Sequence, residues 1–162
     1  MEKLRTVFIT LIIVAIAQIL YYYPRIPDVV ASHFDGLGDP NGWSSKAVFF
    51  SIYAAILLLT VFIFLILPQR TGKNKLWRKL PDKEYWLAPE RYDATMAFIQ
   101  AHFLLFGIVN MLLAMFAIQL VIQANLTEQP RLHSAIVWAL LLYFGFVIVW
   151  LVRFYAKFRR RA

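Results

Sequence analysis

The chain has 162 residues, 61% of them hydrophobic and 16% charged, where soluble domains carry roughly 45–50% and about 25%. Four long apolar runs account for the excess, and a soluble core of this size cannot hide them all, since each approaches or exceeds the ~20 residues that cross a ~30 Å hydrocarbon layer. The absence of cysteine excludes disulfides, thiolate metal sites and cysteine nucleophiles, and the distribution of the +8 net charge argues for membrane topology and against nucleic acid as a partner.

Lys3 and Arg5 precede the first run. Arg70, Lys73, Lys75, Arg78, Lys79, Lys83 and Arg91 lie between the second and third, and Arg153, Lys157, Arg159, Arg160 and Arg161 follow the fourth, which makes 14. The first and third connections hold 3, namely Arg25, Lys46 and Arg131. This asymmetry predicts that both termini and the central loop are cytoplasmic, with some attraction of the basic excess to anionic headgroups. All five tryptophans, Trp43, Trp77, Trp86, Trp138 and Trp150, fall near the ends of predicted spans, where amphipathic rings are favoured.

The first span covers about 6–23. It is longer than a signal-peptide core and ends in Tyr21-Tyr22-Tyr23-Pro24 without a small-x-small cleavage site, so it is expected to stay as a helix. Gln18 is its one strongly polar interior residue. An outer loop, 24–46, follows, and its stretch Ile26–Lys46 gathers Asp28, His33, Asp35 and Asp39 with Gly36, Gly38 and Gly42. Pro27-Asp28 suits the start of a short helical turn through Val29, Val30 and Ala31. Asp35 to Gly42 is expected to form paired tight turns, because Gly and Asn accept positive φ. Ser44 or Ser45 is a natural N-cap for the second span, about 47–67, which Pro68 is expected to end.

The cytoplasmic loop, 68–93, is basic from Gln69 to Lys79. It continues into Leu80-Pro81-Asp82-Lys83-Glu84-Tyr85-Trp86-Leu87-Ala88-Pro89-Glu90-Arg91, whose Tyr85, Trp86 and Leu87 suit the membrane interface. Pro89 fits the first position of a helix with Glu90 and Asp93 in its first turn, and the first turns of that helix stand in the cytoplasm before the third span, about 94–122. This is the most polar of the four, with Gln100, His102, Asn110 and Gln119. The fourth span, about 134–154, leads to a basic tail. The expected fold is an all-α integral membrane protein, one domain over 1–162, with four transmembrane helices and an ordered outer loop.

Two segments carry a family resemblance. The outer-loop pattern Pro27-x5-His33-Phe34-Asp35, Gly38-Asp39-Pro40-Asn41-Gly42-Trp43 and Ser45-Lys46 resembles a bacterial membrane domain of unknown function, best known from the SdpI-like immunity proteins against the sporulation-delaying toxin. The segment Leu80–Arg91 is similar to one in the same family. With the spans beside them they run from the first helix to the start of the third, rather more than half of the chain. The immunity proteins resemble it at their N-terminal module and carry further spans. The resemblance implies residence in the bacterial plasma membrane, and an immunity or signal-receptor role.

Each candidate site has two readings. His33 and Asp35, joined in space by His133, suit a divalent cation; alternatively Asp35 and Asp39 bond backbone N–H groups in turns, and no regular ligand spacing is present. His102 and Asn110, eight residues and so about 80° apart around a helix, either join helices by hydrogen bonds or line a polar path. Gln18 and Gln119 lie at a depth where they can meet. Glu90, Arg91 and Asp93 either cap the third helix and anchor the loop by ion pairs or form a catalytic cluster. No buried carboxylate, Walker sequence or Ser-His-Asp order supports transport or catalysis, and Asn125-Leu126-Thr127 matches a glycosylation acceptor by chance.

The expected function is therefore non-enzymatic: a receptor-like, immunity-like or accessory protein that binds a peptide, a lipid or another membrane protein and needs no cofactor. Its contact residues are His33, Asp35, Asp39, Asn41, Trp43, Lys46, Tyr85, Trp86, Glu90 and Arg91. The alternative is a small transporter or membrane enzyme using His33, Asp35 and His102.

Overall fold

A computed structural model describes residues 1–70 and 82–159. Most of the basic stretch expected at the lipid surface, Trp77 and Leu80-Pro81 lie outside the described residues. The elements run α1 (Glu2–Tyr22), β1 (Val29–Phe34), β2 (Pro40–Ser45), α2 (Lys46–Val61), a π-helical turn (Phe62–Ile66), α3 (Leu67–Arg70), α4 (Lys83–Trp86), α5 (Pro89–Asn125) and α6 (Ala135–Phe158). Among the described residues four helices are long and apolar enough to cross a membrane: α1, α2 with its π turn, α5 and α6.

Three of these helices outrun the apolar runs that announced them. Hydropathy marks only the part that lies in hydrocarbon, and the helix continues wherever its end is stabilised. Glu2 stands in the first turn of α1 and Lys157 in the last turn of α6, the two places where the helix dipole favours those charges. Ser45 is the N-cap of α2, its hydroxyl accepting from Val48 N–H at 3.3 Å. Pro89 occupies the first turn of α5 as its fixed φ predicts. At 37 residues that helix measures about 56 Å, well beyond a ~30 Å hydrocarbon layer.

Pro68 does not end the second span. The helix runs through it to Arg70, and the turn just before it widens, with Leu67 N–H bonding Phe62 C=O, five residues back. Proline has no N–H to give, and its ring would strike the carbonyl four residues earlier; a π turn relieves both at the cost of a local bulge.

α5 is the element against which α1, α2 and α6 all pack. At one end Ala15, Ile26, Val30, Phe49, Phe50, Tyr53 and Ile122 form a core that joins α1, α2 and α5 to β1. In the middle Phe8 of α1 meets Leu104, Ile108 and Met111 of α5. At the other end Met96 and Ile99 of α5 meet Phe154 and Phe158 of α6, with Trp86 packed alongside.

The fold departs from all-α at the first connection. Val29–Phe34 and Pro40–Ser45 pair as an antiparallel hairpin, in place of a helical turn followed by two tight turns. Pro27-Asp28 does not start a helix because Asp28 is held by the first residue of α2: Lys46 N–H donates to its C=O at 2.9 Å, and Lys46 Nζ lies 2.7 Å from its carboxylate. That closes the neck, and the β-branched Val29 and Val30 then take the extended backbone they favour.

A hairpin cap and the polar seam beneath it

The hairpin is fastened to the helices at three levels. At the neck stands the Lys46–Asp28 pair, with the Lys46 ammonium 5.5 Å from the Tyr23 ring centre. In the middle, Ala31 turns its backbone groups away from β2 toward α5. Asn125 there accepts from Ala31 N–H at 2.7 Å and donates to Ala31 C=O at 2.9 Å, so one side-chain amide acts as a third strand against a buried edge. The pairing shifts register on either side of His33, leaving Ser32 and Asn41 as extra residues. At the tip, Leu132 N–H donates to Gly38 C=O at 2.9 Å and the Arg131 guanidinium lies 3.6 Å from Asp39. Gly38 has φ +87°, and a Cβ there would fall 2.6 Å from Leu132 O, so glycine is required twice over.

Most of the predicted outer-loop residues are used inside this device. Asp35 Oδ1 accepts from Leu37 N–H and Asp39 N–H, both at 2.9 Å, and so organises the tip. His33 bonds Asn41 across the strands. His133 is spent on the start of α6, its Nδ1 accepting from Ala135 N–H at 3.0 Å. His33, Asp35 and His133 accordingly do not gather: among the described residues no group of three His, Asp or Glu side chains is placed to hold a metal ion. Trp43 pairs with Ala31 and is exposed.

The two bonds to Asp39 and Leu37 N–H hold the Asp35 carboxyl below the usual carboxylate range, and the Lys46 ammonium does the same for Asp28. A carboxyl depressed in the fold adds stability that is complete above its unfolded value near ~3.9 and is lost as pH falls through the lower folded value. The protection factors of the Leu37 and Asp39 amides should therefore hold constant down to about pH 4 and fall below it, and Asp35→Asn should remove most of that acid sensitivity. Protection unchanged down to pH 2 would contradict this account of the tip.

Beneath the hairpin the intramembrane polar residues form a seam. Gln18 and Gln119 meet at 2.9 Å, as their depth suggested. Tyr53 hydroxyl donates to Gln18 Oε1 at 2.7 Å, and Gln119 Nε2 donates to Tyr22 hydroxyl at 2.9 Å. Asn110 joins helices too, accepting from Tyr143 hydroxyl of α6 at 3.0 Å while its amide returns to Phe106 C=O. His102 sits among rings, with Phe98 at 3.9 Å and Phe154 at 6.1 Å between centroids, and its backbone C=O accepts from Trp150 Nε1.

At the far end of the molecule Trp86 Nε1 donates to Phe158 C=O at 3.3 Å and its ring meets the Lys157 ammonium at 5.4 Å. This ties α4 to the end of α6, so Trp86 is an anchor between protein elements. Glu90 and Asp93 lie exposed in the first turns of α5, and Arg91 stacks over Tyr85 at 4.1 Å. Among the described residues none of the three forms an ion pair, and the Arg91 guanidinium rests on the Tyr85 ring.

Sequence reasoning missed Asn125, Tyr22, Tyr53, Tyr143 and Gly107. The first was obscured by its glycosylation pattern, which its burial rules out as an acceptor in this fold. Tyr22 stood in a triplet at the end of the first span, and Tyr53 and Tyr143 gave no signal beyond being aromatic residues within a span. Gly107 gave no signal beyond being a glycine in a span.

A multi-pass α-helical membrane protein with a hairpin cap is the class these features define. Residues 9–58, from α1 through the hairpin into α2, match a family described as Domain of unknown function (DUF1648). No curated protein and no solved structure matches the sequence.

Proposed function

We propose that the protein is a non-enzymatic binding protein of the bacterial plasma membrane, receptor-like, immunity-like or accessory to a larger assembly, with both termini in the cytoplasm and the hairpin outside. The hairpin is its contact surface for a peptide segment or another membrane protein. One observation carries this reading: a hairpin tied down at neck, middle and tip still holds large apolar side chains out to solvent, with Leu37 77%, Val29 61% and Trp43 55% exposed. A rigid platform with protruding apolar anchors binds without the ordering cost of a mobile loop. The side chains that would serve a reaction are committed to the fold, Asp35 to the tip, Asp28 to Lys46 and His133 to α6.

The test is a photo-crosslinking residue placed at Leu37 or Trp43, with Leu142 on the exposed face of α6 as control. A discrete adduct should form from the hairpin positions only. Leu37→Ser and Trp43→Ser should each cut its yield by about ten-fold or more while shifting stability by no more than about 0.5 kcal/mol, as exposed positions do. Equal adducts from Leu142, or loss of folding in both serine variants, would defeat the reading.

A further inference from the structure

The hydrogen bonds that link Gln18, Gln119 and their tyrosines run one way, and the last hydroxyl, Tyr22, lines a groove open at the side of the protein. Gln18 Nε2 donates to Met115 C=O at 3.2 Å and to Gln119 Oε1 at 2.9 Å. A backbone carbonyl can only accept, so it fixes the orientation of the Gln18 amide and leaves Oε1 for the Tyr53 hydroxyl. Donation runs from Tyr53 to Gln18 to Gln119 to Tyr22. Among the described residues the Tyr22 O–H and the second amide proton of Gln119 have no acceptor.

Both donors stand in a lateral groove of about 430 Å³ between α1 and α5. Its floor is Gln18, Tyr22 and Gln119, and its walls are Val14, Ala17 and Met115, with Tyr21 at the mouth. Helices on either side are apolar and exposed, so the groove opens to hydrocarbon, where an unmet donor is costly. One step further toward the hairpin, the exposed Arg25 guanidinium lies 3.8 Å over the Tyr21 ring. From Val14 to Tyr22 the helix advances about 12 Å, and the lining changes along it from apolar wall to hydrogen-bond donors and then to a cation.

We propose that this groove binds one glycerophospholipid of the leaflet at the hairpin end. Its acyl tail lies against Val14, Ala17 and Met115, an ester carbonyl accepts from Tyr22 and Gln119, and its phosphate meets Arg25. The ester carbonyl is the acceptor that the seam lacks, and it sits in the lipid where Tyr22 sits on the helix.

The experiment uses the full-length protein in detergent, exchanged with either a diester phosphatidylglycerol or its diether analogue with tails of equal length, and counts bound lipid by native mass spectrometry. The diether has the same tails and phosphate but no carbonyl. The protein should retain the diester roughly five-fold better, the worth of one net hydrogen bond. Tyr22→Phe should lower that ratio, leaving only the bond from Gln119, while Arg25→Gln lowers retention of both lipids and keeps the ratio. Ala17→Phe, which removes no hydrogen-bonding group of the seam, should fill the groove and displace both. Equal retention of diester and diether by the unaltered protein overturns the proposal, as does a ratio unchanged in Tyr22→Phe. Should that variant not fold, unchanged retention in Ala17→Phe overturns it equally.

Discussion

Replacing Asn125 with leucine is expected to unfasten the hairpin from the helices and to cost about 2–4 kcal/mol. The two side chains are similar in size, so the core below is not emptied. The loss falls on Ala31, whose N–H and C=O are both engaged by Asn125 and whose residue is fully buried. Each group left without a partner costs roughly 1–3 kcal/mol, more than the bond itself contributes. The measurement is thermal unfolding in detergent together with exchange of the Ala31 amide, which should become at least ten-fold faster at unchanged helix content. An Ala31 amide as protected as before would mean that the strand pairing alone holds the cap. Ser45→Ala, which removes only the α2 cap, should cost about 1 kcal/mol and leave Ala31 protected.

Gly107→Val should be the most damaging single change inside the membrane, at about 3 kcal/mol. A Cβ at that position would lie 2.5 Å from Phe64 Cβ and 2.9 Å from a ring carbon of Phe8. The first of these atoms is fixed to the backbone of the π turn, so it cannot swing aside, and α5 would have to move away from both α1 and α2. Gly145 in α6 supplies the control, since a Cβ there meets nothing within 4 Å. Gly145→Val is expected to change stability by no more than about 0.5 kcal/mol. Parallel melting of the two variants in the same detergent decides the matter, and equal melting temperatures would show that the close approach at Gly107 is not structural.

The same pair of glycines shows what a lone sequence conveys about such a protein. Both stand in apolar runs and nothing in the order of residues separates them. The run itself is legible, because crossing hydrocarbon demands a minimum length of apolar residues whatever their neighbours are. For that reason the four spans, the Ser45 cap and Pro89 at the start of α5 could be placed from the sequence alone. Each is a local requirement, met by residues within a few positions of one another.

Gln18 and Gln119 form an intermediate case. Their common depth follows from counting along each helix, and polar groups in hydrocarbon seek one another, so the pairing could be anticipated. That the series of bonds also takes in Tyr53 and Tyr22, and ends on a hydroxyl lining a lateral groove, depends on how α1, α2 and α5 are rotated about their axes. Apolar spans carry little information on rotation, because lipid solvates one face as well as another.

The hairpin was harder still. Composition, turn residues and the matched family signature all marked Ile26–Lys46 as ordered, and the turn at Asp35–Asp39 follows from its own aspartate. Whether Val29–Phe34 becomes strand or helix is settled by two residues far away in the sequence, Lys46 closing the neck and Asn125 completing the edge. Local signals thus located the spans, their caps and one turn, since these depend on short-range sterics and on transfer from water. Partners 18 and 94 residues from the hairpin groups they hold made the connection a rigid cap, because a strand's outer edge is satisfied only by whatever the rest of the fold brings against it.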